Sequence, residues 1–158
     1  MIRRARPDDV PAIGAVFLAA RDRMSYLPRV PARDRPRIGS LITAGREEVW
    51  VDERDGRIAG FAAIKGNELD HLYVDPPLQG RGLGSGLLGH AKERRPGGFA
   101  FWVFQRNVDA RRFYERHGCR LVELTDGAGN MEREPDARYE WRPGPDAAEG
   151  SADVAVDA

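Results

Sequence analysis

Lysine is almost missing from this chain. Of 25 basic residues only Lys65 and Lys92 are lysines, so 23 are arginines. Arginine binds phosphate in a forked geometry, but 23 of them cannot serve one site, and the bias by itself assigns no function. Net charge is also missing: 25 acidic residues balance the basic ones. That removes any global electrostatic argument for nucleic acid or for an acidic membrane surface. A single cysteine, Cys119, excludes an intrachain disulfide framework and a zinc cluster. The three histidines lie far apart without ligand spacing, so no metal is expected. No apolar run approaches the ~18 residues of a membrane span, and the opening "MIRRARPDDV" has no apolar signal region. The expected location is the cytoplasm, with no membrane and no nucleic-acid partner.

What is present is a domain-sized pattern of short strands and helices. "MIRRAR" reads as a first strand. In "PDDVPAIGAVFLAARDRM", Asp8 or Asp9 can cap a helix, Pro11 suits its first turn, and Ile13, Val16, Phe17 and Ala20 recur at helical spacing. "RPRIGSLITAG" is a shorter helix closed by Gly45. "EEVWVDERDGRIAGFAAIK" is a hairpin turning at Asp55-Gly56, and "ELDHLYV" is a further strand. A helix with Leu83, Leu87, Leu88 and Ala91 on one face follows a run of glycines. "FAFWVF" is apolar at every position, which predicts a strand buried on both faces. "NVDARRFYERHG" is a helix with Asn107 as its N-cap and Gly118 at its end. "CRLVELTDG" and "ARYEWRP" form a last hairpin around a polar loop. Residues 1–143 make one domain, and the small, acidic, aperiodic segment 144–158 is expected to be a disordered tail. Strand-helix-strand around the glycines predicts a locally parallel pair, and the hairpins predict antiparallel pairs elsewhere: a mixed α/β sheet.

The glycines carry the functional signal. A Walker A loop needs Gly-Lys-Ser/Thr, and no Gly-Lys pair exists. Gly84-Ser85-Gly86-Leu87-Leu88-Gly89 fits the Rossmann spacing, but the preceding strand ends near Val74 and the match falls inside the helix. The third reading takes Gln79-Gly80-Arg81-Gly82-Leu83-Gly84 as one unit between strand and helix. Backbone stripped of side chains there can aim several N–H groups at one anion, helped by the helix dipole. A pyrophosphate is the natural guest, with Gln79 and Arg81 as side-chain donors.

This segment resembles motif A of the GCN5-related N-acetyltransferases, Gln/Arg-x-x-Gly-x-Gly/Ala. "LYVDP" before it matches the family's strand end. "NVDARRFYERHGC" is similar to motif B, with Asn107, Ala110, Phe113, Tyr114 and Gly118 in order. The resemblance implies the GNAT fold: a mixed, mostly antiparallel sheet of six to seven strands with a central splayed parallel pair, flanked by about four helices. It implies acetyl-CoA as acyl donor. The amides of Gln79, Gly80, Arg81, Gly82, Leu83, Gly84 and Ser85 would hold the pyrophosphate, and the backbone of Leu72, Tyr73 and Val74 the pantetheine arm. Asn107, Ala110, Phe113 and Tyr114 would line the thioester end.

Acyl transfer to an amine needs a proton acceptor for the ammonium and a proton donor for the leaving thiolate. Resemblance to the family makes Tyr114 the expected acid and Glu68 the expected base, with Asp70 and His71 as alternatives. Strict alternation puts Glu68 and Asp70 on one face and His71 on the other, an order a bulge would reverse. In the late loop, Glu132, Glu134 and Asp136 with Arg133 and Arg138 are either a solvated set or a carboxylate cluster suited to a cationic amine. The expected activity is direct acetyl transfer in a ternary complex to a small-molecule primary amine. A peptidyl lysine or α-amino acceptor is the alternative, and a silent acyl-CoA sensor the rival from another class. The expected state is a monomer or homodimer.

Overall fold

The computed structural model describes residues 1–144; apart from residue 144, the expected tail lies outside the described residues. The chain forms two compact units, Met1–Ala91 and Lys92 onward.

The first unit is a set of hairpins. Strands β1 (Ile2–Arg4), β2 (Glu48–Arg54), β3 (Arg57–Lys65) and β4 (Glu68–Val74) pair in that order, each antiparallel to the next. Asp55 and Gly56 both take left-handed φ, 52° and 75°, as a two-residue turn of matching twist requires. Gly66, with φ 59°, serves the turn from β3 to β4. This second pairing contains one irregularity. Ile64 faces Leu69 and Ala63 faces His71, so Asp70 is an extra residue in β4, a β-bulge.

Helix α1 (Val10–Arg21) follows a 3-10 turn at Pro7–Asp9. The expected cap works differently from the sequence reading. The Asp9 carboxylate accepts the Arg6 N–H at 2.7 Å and two Arg3 N–H groups at 2.7 and 3.0 Å, so it closes the 3-10 turn and leaves α1 without a side-chain cap. α1 meets α2 (Ile38–Thr43) backbone to backbone. A Cβ on Gly39 would stand 2.1 Å from the Val10 carbonyl oxygen, and one on Gly14 would stand 2.8 Å from the Gly39 nitrogen. Together the two helices seal Ile13, Val16, Phe17 and Ile42 against Val51 and Phe61 of the sheet. On the opposite face lies α3 (Leu83–Arg94), which buries Leu83, Leu87, Leu88 and Ala91 as its spacing predicts. Leu87 packs where Gly60 lacks a side chain, and His90 meets Trp50 edge-on at 4.2 Å.

In the second unit, β5 (Phe99–Phe104), β7 (Asp136–Trp141) and β6 (Arg120–Leu124) pair antiparallel in that order. Helix α4 (Val108–Arg116) starts where Asn107 Oδ1 accepts the Ala110 N–H at 3.2 Å and ends before Gly118, φ 83°. It covers one face of β5 and β7: Phe101 sits 4.3 Å from the Tyr114 ring and stacks on Tyr139 at 5.8 Å. The Tyr139 hydroxyl donates to Glu115 and accepts from Arg111 Nε at 3.1 Å. β5 is not buried on both faces as its composition predicts. Phe99, Phe101 and Val103 are buried, but Trp102 is 49% exposed and Phe104 half-buried. Among the described residues of this unit, no helix lies on that second face.

The helix contact makes a prediction. Gly39→Ala forces a methyl into the Val10 carbonyl and is expected to cost about 1–3 kcal/mol. Gly89→Ala, in α3 with open space where its Cβ would stand, should instead stabilise by roughly 0.5–1 kcal/mol. Urea unfolding of both variants checks the pair, and equal effects would refute the close-packing account.

Candidate active site

The expected site residues of the first unit lie along β4 and the loop after it. Residues facing each other in an antiparallel pair point to one side of the sheet. Lys65, Ala63 and Phe61 alternate along β3, so their partners Glu68, His71 and Tyr73 share a face. Leu69, Leu72 and Val74, opposite Ile64, Ala62 and Gly60, share the other. The bulge at Asp70 therefore corrects the strict-alternation reading: Glu68 stands with His71, not with Asp70. Asp70 is exposed, and its carboxylate pairs with Arg46 Nε at 3.2 Å.

His71 and Tyr73 border an aromatic cluster. Phe17 of α1 meets His71 at 5.9 Å and Tyr73 at 5.2 Å, both edge-on, and Phe61 lies 5.8 Å from Tyr73. His71 Nδ1 is buried and has no hydrogen-bond partner among the described residues. Burial, with the Arg46 and Arg21 charges beyond, pushes the imidazole down to about 4. His71 is thus neutral near pH 7 and a weak proton acceptor, which counts against it as the base.

After Val74 the chain turns through Pro76–Leu78 and reaches the glycines. Gly80 and Gly82 take φ of 80° and 84° on either side of the exposed Arg81. A Cβ on either would meet no atom of the described residues within 4 Å. These glycines are required by conformation rather than packing, and the space beside them is open. α3 begins at Leu83 and brings the positive end of its dipole to the loop. Positive-φ backbone, an arginine and a helix start together fit a phosphate-bearing guest. Gln79, expected as a donor to that anion, uses Nε2 to bond the Val74 carbonyl at 3.2 Å and ties the loop to the strand end. Leu83 is buried, while Gly84 and Ser85 are half-buried. The Gly84–Gly89 Rossmann spacing falls wholly within α3, as expected.

The second group, Asn107, Ala110, Phe113 and Tyr114, belongs to the other unit. Asn107 does what its plain reading says and caps α4. Tyr114 is buried against Phe101, with Phe113 at 5.1 Å. Cys119 is buried and its thiol is pushed up to about 11 by that burial, so it is no activated nucleophile. Sequence reasoning missed a concavity in the same unit. A pocket of about 480 Å³ is lined by Trp102, Phe104, Thr125, Asn130, Glu132 and Asp136, among others. Glu134 and Asp136 of the late loop are buried and Glu132 is half-buried, so the loop is not simply a solvated one. The missing signal was the β5–β7 register, which sets Trp102 and Phe104 beside Arg138 and Asp136.

With this geometry, comparison with known proteins is specific. A family model described as an acetyltransferase (GNAT) domain matches residues 45–119. The peptidyl-lysine N-acetyltransferase YiaC of Escherichia coli (strain K12) is 31% identical over 134 residues, spanning 78% of this chain and 85% of that protein. The peptidyl-lysine N-acetyltransferase YjaB of the same organism is 30% identical over 125 residues, 77% of this chain and 82% of its own. The structure of yncA from Salmonella typhimurium with acetyl-CoA matches with a TM-score of 0.68 at 22% identity, covering 90% of this chain and 92% of that one. The chain belongs to the GNAT acetyltransferase family. It has that family's α/β fold and is an acetyl-CoA-dependent N-acetyltransferase, with acetyl-CoA as acyl donor.

The buried imidazole sets a pH dependence. A histidine at about 4 in the folded chain and about 6.5 unfolded binds its proton first when unfolded. Its contribution is complete above pH 6.5 and is lost as pH falls toward 4, to a total of about 3 kcal/mol. Urea unfolding across that window should flatten in His71→Phe, and an NMR titration should put the His71 midpoint below 5. A midpoint near 6.5 would overturn the burial argument.

Proposed function

We propose that the protein transfers acetyl from acetyl-CoA to the ε-amine of lysine residues in proteins or peptides, by direct attack in a ternary complex. The observation that carries this reading is the pair of relatives at 30–31% identity, each spanned over more than four-fifths of its length and each named a peptidyl-lysine N-acetyltransferase. The small-molecule amine expected from the sequence has no comparable support and becomes the alternative outcome of the test.

The roles of individual residues follow the family resemblance and fit the local geometry. The amides from Gln79 to Ser85 bind the donor's pyrophosphate, with Arg81 as the nearby cation. Leu72, Tyr73 and Val74 offer backbone to the pantetheine arm. Glu68 takes the proton of the acceptor ammonium. Its place beside His71, which is neutral near pH 7, brings no histidine charge to repel the incoming cation. The Tyr114 hydroxyl gives a proton to the departing thiolate. Asn107 holds the start of α4 and so positions Tyr114.

A thiol-release assay with acetyl-CoA, run against lysine peptides and a panel of small amines, tests the acceptor. Turnover of the amines alone would reject the peptide reading. Tyr114→Phe should lower kcat by about 10²-fold or more, the usual range for a lost general acid, with little change in KM for acetyl-CoA. An unchanged kcat removes Tyr114 from the chemistry. Glu68→Gln should abolish the acidic limb of the pH–rate profile, and persistence of that limb would exclude Glu68.

A further inference from the structure

The pocket of the second unit is lined by a buried carboxylate, Asp136. Five acidic residues are buried among the described residues: Asp9, Glu48, Asp52, Glu134 and Asp136. Four face a cation, namely Arg3 at 2.7 Å, Arg4 at 3.9 Å, Arg54 at 2.8 Å and Arg106 at 3.1 Å. Asp136, 8% exposed, has only neutral partners among the described residues: it accepts from the Thr125 hydroxyl and from Asn130 Nδ2 at 3.0 Å, and forms no ion pair with any of them. A buried carboxylate without a counter-charge is costly. This one lines an open pocket.

The carboxylate is also held in place. Asn130 Nδ2 donates to the Glu134 carbonyl at 2.7 Å, and Asn130 Oδ1 accepts the Glu134 N–H at 3.2 Å. Gln105 Nε2 bonds the carbonyls of Thr125 and Asp136 at 2.8 and 3.0 Å. Gly127 is demanded by the same turn: its φ is 83°, and a Cβ would lie 2.5 Å from the Glu134 carbonyl oxygen. The walls beside Asp136 are aromatic, Trp102 and Phe104, with Glu132 as a second carboxylate. Trp102 already accepts a cation at its ring, since Arg138 Cζ lies 5.1 Å from the centroid. An anion fixed at the wall and apolar rings alongside suit an ammonium or guanidinium on an aliphatic stem.

We propose that this pocket binds a basic side chain of the acceptor peptide, other than the lysine that is acetylated, with Asp136 as its counter-charge and Trp102 and Phe104 as its walls. The proposal rests on the peptidyl-lysine reading, and makes the enzyme selective for lysines in basic sequence.

Two capped peptides test it, each with one lysine, one flanked by arginine and the other by citrulline, its neutral isostere. Loss of one charge-assisted contact predicts a KM at least about tenfold lower for the arginine peptide. That ratio should collapse toward one in both Asp136→Asn and Trp102→Ala. A variant that is merely destabilised lowers activity on both peptides and keeps the ratio. Equal KM for the two peptides with the unmutated enzyme, or a ratio preserved in both variants, overturns the proposal. If neither peptide is acetylated, the peptidyl-lysine reading has failed. Calorimetric titration of the arginine peptide then still decides the pocket: binding weakened by both substitutions supports it, and no binding, or binding equal to that of the citrulline peptide, rejects it.

Discussion

One extra residue in β4 determines what its first half presents. Without the bulge at Asp70, Glu68 and His71 would lie on opposite faces of the sheet, and the rest of the strand would be one step out of phase. With it, Leu69 stays in the core opposite Ile64, while Glu68, His71 and Tyr73 line the side that α1 covers. The strand still ends with Val74 buried, and Gln79 Nε2 ties the glycine loop to its carbonyl. Both α1 and α3 rely on glycines in their contacts, at Gly39 and Gly60, where the backbone must approach closely.

The second unit treats its two faces differently. Phe101, Tyr114 and Tyr139 fill one with stacked rings, and the tyrosine hydroxyl at the edge of that stack is satisfied by Arg111 and Glu115. The other face keeps two aromatic residues partly open, beside a carboxylate held by neutral donors. Exposed aromatic surface of this kind favours association with a partner, and the hydrogen bonds from Thr125 and Asn130 offset part of the cost of burying the Asp136 carboxylate.

Much of this was legible in the sequence. The Asp55-Gly56 turn, the buried stripe of α3, the Asn107 cap and the Gly118 stop are local signals, each set by a few neighbouring residues. The glycine motif was legible for the same reason: positive φ at Gly80 and Gly82 is a backbone demand that few other residues meet. Less legible were features that depend on a partner strand. Alternation along "ELDHLYV" gives the wrong companion for Glu68, because a bulge is a property of two strands. "FAFWVF" reads as buried throughout, because composition does not tell which side a helix covers. The role of Asp9 was misread because Arg3, which claims its carboxylate, sits in β1.

The sequence by itself determined the family, the order of elements and the glycine loop with its positive φ, since all are encoded in short stretches whose conformation is decided locally. Tertiary structure alone decided that Glu68 stands beside His71, that the imidazole is neutral near pH 7, and that Asp136 is buried on hydrogen bonds from neutral donors. Each of these depends on desolvation or register, and both are imposed by residues distant along the chain: Phe17 and Arg21 for the histidine, Ala63 and Ile64 for the bulge, Trp102 and Thr125 for the pocket.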